Sequence, residues 1–86
     1  MGDVLITVKV MPDGVDTDLD ALEERIRGLG YRVNNIDREP IAFGLVALMC
    51  GFVAKDEGGI ADDISDAIKD LEGVSEAEVV EATLVS

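Results

Sequence analysis

Side chains able to make or break covalent bonds are sparse in this chain and badly placed for the work. The hydroxyls of Thr7, Thr17, Ser65, Ser75, Thr83 and Ser86 have no histidine anywhere in the sequence to take their protons. Cys50 is the single cysteine; inside an apolar run it suits a small core residue better than a nucleophile, and it has no partner for an internal disulfide. Neighbouring carboxylates at Glu23-Glu24 and Asp62-Asp63 could pair as acid and base, yet on amphipathic helices such neighbours are ordinarily a solvated face. The glycines match neither a P-loop nor a dinucleotide fingerprint. With no histidine and one cysteine there is no zinc set, and no Asp-x-Asp-x-Asp-Gly run offers a calcium loop. The expectation is a protein that is not an enzyme, with no catalytic residue, metal site or cofactor.

What stands out is Glu39-Pro40-Ile41-Ala42-Phe43-Gly44-Leu45, where one of only three aromatics sits at a backbone break before a long apolar run. Pro40 fixes its own φ and pushes Glu39 towards extended conformations, while Gly44 frees the backbone to turn. Phe43 can then either cap the domain's own core where a strand begins, or project from a loop tip as an anchor for a pocket on another protein.

Charge narrows the partners. The net charge of -12 is spread along the chain, with only Lys9, Arg25, Arg27, Arg32, Arg38, Lys55 and Lys69 against it. Nucleic-acid binding needs cations to displace counterions, so none is expected. Asp outnumbers Glu and lysines are few, a balance that fits a salty cytoplasm. No apolar run reaches the roughly 20 residues of a membrane-spanning helix, and the N-terminus lacks a basic region followed by an apolar stretch. A cytoplasmic protein without membrane contact is expected.

The elements that must position Phe43 follow from periodicity. Val4, Ile6, Val8 and Val10 alternate with Leu5, Thr7 and Lys9 as in a half-buried strand, which Pro12-Asp13-Gly14 ends. Thr17 stands where a helix N-cap is wanted, Leu19, Leu22, Ile26 and Leu29 follow at helical spacing, and Glu23 pairs with Arg27 four residues on. Gly28 and Gly30 stop that helix. Tyr31 to Asp37 reads as a second strand and Phe43 to Lys55 as a third, apolar on both faces and hence central. After Gly58-Gly59, Ile60, Ile64, Ala67, Ile68 and Leu71 form the inner face of a second helix ending at Gly73, and Val74 onwards, above all Val79 to Val85, is the fourth strand. At 86 residues the βαββαβ order is one α+β domain, residues 1–86. Two helices on one face of a four-stranded antiparallel sheet make it a ferredoxin-like sandwich with the first and third strands in the middle.

Met1-Gly2-Asp3-Val4, Lys9-Val10-Met11-Pro12, Asp18-Leu19-x-x-Leu22 and above all Pro40-Ile41-Ala42-Phe43-Gly44-Leu45 resemble archaeal elongation factor 1-beta over essentially the whole chain. That family is related to the C-terminal exchange domain of eukaryotic elongation factor 1-beta, which has Pro-Ile-Gly-Phe-Gly at this place. The resemblance implies a ferredoxin-like exchange factor that replaces GDP by GTP on elongation factor 1-alpha, the GTPase that delivers aminoacyl-tRNA to the ribosome. It implies that Phe43 enters a pocket on the GTPase and that Pro40, Ile41, Ala42 and Gly44 present it. Eukaryotic relatives also use a lysine next to the C-terminus against the magnesium and phosphate side of the nucleotide site. Here no basic residue follows Lys69. The rival from topology is a regulatory domain binding a small ligand, with Pro12-Asp13-Gly14 as its strand-to-helix turn. An RNA-recognition module fits poorly, because the sheet lacks stacking aromatics.

Overall fold

Alternation in the first strand sets the architecture. The computed structural model describes residues 2–85; Met1 and Ser86 lie outside the described residues. In β1 (Asp3–Pro12), Val4, Ile6, Val8 and Val10 are buried, while Leu5, Thr7, Lys9 and Met11 on the opposite face are only half-buried. A strand so apolar on one side needs neighbours along both edges and a cover on that face. Antiparallel neighbours are β3 (Val46–Lys55) on one side and β4 (Val74–Leu84) on the other, and β2 (Arg32–Pro40) completes the order β2-β3-β1-β4. The cover is α1 (Leu19–Arg27) and α2 (Ile60–Lys69), which bury Leu22 and Ile26, and Ile64 and Ile68, respectively. This is the ferredoxin-like α+β sandwich read from the sequence, with β1 and β3 central.

Its two helices begin differently from expectation. The N-cap of α1 is Asp18, not Thr17: an Asp18 carboxylate oxygen accepts from the Ala21 N–H at 3.2 Å, whereas the Thr17 hydroxyl accepts from the Gly14 N–H at 3.3 Å and closes the preceding turn. Two adjacent capping residues compete, and the tight turn takes Thr17. Glu23 is taken by Arg38, not by Arg27, because Glu23 lies on the half-buried flank of α1 that faces β2. Gly59, at φ 82°, starts α2 in a conformation only glycine adopts without strain.

The third strand starts three residues later than its apolar pattern suggests. β3 begins at Val46 and not at Phe43, while β2 extends past Asp37 to Pro40, whose missing N–H is harmless on an edge strand. Segment 41–45 is left between them as a hairpin loop.

Candidate functional site

The hairpin is held from below. Near the end of β2, the Arg38 Nε donates to Glu23 Oε2 at 2.9 Å and its Nη2 pairs with Asp20, so the edge strand is pinned to α1. Hydrogen bonds to Glu23 and then Asp20 raise the Arg38 pKa, and its guanidinium stays charged. Beyond Arg38, Pro40 pairs in register with Val46. Ile41 and Leu45 are half-buried and close the loop: the Ile41 N–H donates to Leu45 O at 2.9 Å, and the Leu45 N–H returns to Ala42 O at 3.2 Å.

Ala42-Phe43-Gly44-Leu45 is thus a hydrogen-bonded turn, and its two central residues have φ 61° and 78°. Positive φ at both centres is the requirement of the type I′ hairpin turn, whose twist matches the flanking strands and which ordinarily takes Asn-Gly or Gly-Gly. Phe43 is the one non-glycine residue with positive φ among the described residues. An L-residue with a Cβ pays about 1–2 kcal/mol for that conformation. Nothing inside the domain compensates, because Phe43 is 95% exposed. The other two aromatics pack together edge to face, with ring centroids 6.4 Å apart, and Phe52 is fully buried. Phe43 is therefore no core cap. Pro40, Ala42, Phe43 and Gly44 lie on the surface together, and Ile41 roots them.

Positions that could have supported other chemistry are occupied or inert. In the strand-to-helix turn, the Asp13 N–H donates to Gly73 O at 2.9 Å and the Gly14 N–H is used by Thr17, so two amides of the turn already have partners within the fold. The Cys50 thiol is fully buried on β3, and burial pushes its pKa up to about 12, far from the thiolate a nucleophile needs. Glu23 is engaged by Arg38, and Asp62 and Asp63 are both exposed in the first turn of α2. Val85, whose N–H donates to Asp3 O at 2.9 Å, lies at the end of the sheet where β1 starts, whereas the Phe43 hairpin lies where β1 finishes. An 11-residue strand, β4, separates the two ends, about 35 Å at the usual rise.

Sequence reasoning missed Val15. It is 64% exposed in the β1–α1 turn, and a Cβ on Gly44 would lie 3.7 Å from its Cγ1, so two loops distant in sequence meet beside Phe43. The available signal was an apolar β-branched residue set among Asp13, Asp16 and Asp18, where a turn would favour a polar one.

The ferredoxin-like sandwich thus holds one bare aromatic in a strained turn, just beyond an edge strand that Arg38 clamps to α1. Residues 5–85 match the EF-1 guanine nucleotide exchange domain. Over 85 residues the chain is 45% identical to Elongation factor 1-beta of Methanoculleus marisnigri, covering 99% of this chain and 100% of the relative. Identity is 44% over 84 residues to Elongation factor 1-beta of Methanothermobacter thermautotrophicus, covering 94% of each. It is 42% over 76 residues to that of Pyrococcus abyssi, covering 84% of each. The chain belongs to the EF-1 guanine nucleotide exchange domain family, and its function is guanine-nucleotide exchange in translation elongation. No helix among the described residues is long and apolar enough to cross a membrane.

Proposed function

We propose that this chain docks on elongation factor 1-alpha through the Pro40–Gly44 hairpin and speeds GDP release by stabilising the nucleotide-free GTPase. The observation that carries this reading is Phe43, 95% exposed at φ 61°. A fold that keeps a phenylalanine ring in water, in a conformation that costs it stability, gains nothing until a partner covers the ring. Residues 1–86 act as a single exchange unit, in the cytoplasm where its partner works.

The thermodynamics fix the order of affinities. If docking weakens GDP binding by some factor, GDP weakens docking by the same factor, so the empty GTPase is bound best. No covalent step belongs to this chain; hydrolysis of GTP is the partner's. Exchange rests on displacing elements of the GTPase by docking the Phe43 hairpin, which lies at the end of the sheet opposite Val85. The test is release of fluorescent GDP from elongation factor 1-alpha with wild-type chain and with Phe43→Ala. Release slowed about a hundredfold at low factor concentration supports the reading, since an interface anchor carries about 2–4 kcal/mol and 2.8 kcal/mol corresponds to that factor. Full activity in a folded Phe43→Ala variant removes it.

A further inference from the structure

Resting on that reading of the hairpin, we infer that Val15 is a second anchor beside Phe43, and that the pair docks into an apolar pocket of the GTPase ringed by lysine or arginine. Val15 and Phe43 are both large apolar residues left exposed, and both stand at the tips of closed turns. The Thr17 N–H donates to Gly14 O at 3.3 Å and the Gly14 N–H to the Thr17 hydroxyl, which makes Gly14-Val15-Asp16-Thr17 a turn locked from two directions. The Asp13 N–H bond to Gly73 O ties its base to the α2–β4 connection. The hairpin turn is locked in the same way by Ile41, Ala42 and Leu45. The two turns approach each other at Gly44, where an added Cβ would lie 3.7 Å from the Val15 Cγ1. Both tips are thus ordered before binding, and docking them costs little conformational entropy.

The charge around the pair selects the partner surface. Asp13, Asp16 and Glu39 flank the two tips in sequence; all three are exposed, and none joins an ion pair among the described residues. Asp20 and Glu23, by contrast, share the single positive charge of Arg38. An apolar tip bordered by unpaired carboxylates is repelled by an acidic surface and drawn to a basic one, an effect felt chiefly in the association rate and in its salt dependence.

The experiment measures affinity and association rate for nucleotide-free elongation factor 1-alpha with Val15→Ser, Phe43→Ala, the double variant, and Asp13→Asn with Asp16→Asn. Val15→Ser should weaken the complex about five- to tenfold with an unchanged melting temperature, and its effect should shrink in the Phe43→Ala background because the two share a pocket. The carboxamide pair should slow association at low salt by about two- to fivefold and flatten its dependence on sodium chloride. If Val15→Ser binds within about twofold of wild type while Phe43→Ala does not, the second anchor is overturned and the hairpin reading stands. If neither variant weakens binding, the hairpin reading itself has failed. An undiminished salt slope in the carboxamide pair overturns the basic pocket. Should Val15→Ser lower the melting temperature, Val15→Thr keeps the branched shape; a weaker complex from that folded variant supports the second anchor, and wild-type binding overturns it.

Discussion

Replacing Phe43 by asparagine should make the domain more stable and less useful. The side chain is 95% exposed, so its removal leaves no cavity, and the 3–5 kcal/mol that truncating a core phenylalanine costs does not apply. What changes is the backbone. At φ 61°, phenylalanine bears a penalty of about 1–2 kcal/mol that asparagine, with its tolerance of the left-handed region, largely escapes. Phe43→Asn next to Gly44 also restores the pair that a type I′ turn prefers. A net gain of about 1 kcal/mol corresponds to a melting temperature roughly 4–8 °C higher in a domain of this size. Phe43→Ala is the control, because alanine keeps the Cβ and the penalty, so its melting temperature should stay near wild type. Both variants should lose docking to elongation factor 1-alpha, by about a hundredfold in affinity. Thermal unfolding by circular dichroism and fluorescent GDP release on the same preparations read the two quantities. A lower melting temperature for Phe43→Asn would show that the ring supports its own fold and refute the argument from strain; a stabilised variant that still exchanges normally would refute the anchor.

Salt should stabilise the domain: Asp62, Asp66 and Asp70 recur every four residues on and just past α2, where like charges cost about 0.2–0.5 kcal/mol per pair. As the Debye length falls from roughly 8 Å at 0.15 M to about 3 Å at 1 M, the melting temperature should rise, and a flat or falling curve in sodium chloride contradicts the repulsion. Deleting Val85 and Ser86 removes the Val85 N–H bond to Asp3 O, worth about 0.5–1.5 kcal/mol, and should leave GDP release within about twofold. A loss beyond about tenfold with unchanged circular dichroism would show that the tail acts directly, and exchange by docking alone would be abandoned. Because the folded-state pKa of Cys50 is raised from 9.0 to about 12, the neutral thiol's contribution is intact below about pH 9 and is lost as pH rises from there towards 12. Urea midpoints at pH 8 and pH 10.5 should therefore fall further for wild type than for Cys50→Ala, and equal falls would indicate an accessible thiol.

Periodicity by itself determined the element order, the central places of β1 and β3 and the inward faces of both helices, because burial of alternating or helically spaced apolar residues is a local pattern with one global solution. Pro40-Ile41-Ala42-Phe43-Gly44 was equally legible as a break, yet its local chemistry allowed Phe43 to be packed or projecting. Tertiary structure decided between them: the half-buried Ile41 and Leu45 close the turn one residue before Ala42 and one after Gly44, and that spacing forces positive φ on both central residues and aims the ring outward. Capping and pairing were also decided in three dimensions. Thr17 and Asp18 compete for the same role, and only the approach of the β1–α1 turn to Gly73 assigns it; Glu23 has Arg27 within a helical turn but meets Arg38 across the gap to β2. The place of Val15 beside the hairpin was decided in three dimensions too, although its apolar side chain among aspartates was legible. Its neighbour Gly44 is 29 positions away along the chain, and contacts at that separation are made by the fold that brings the two loops together.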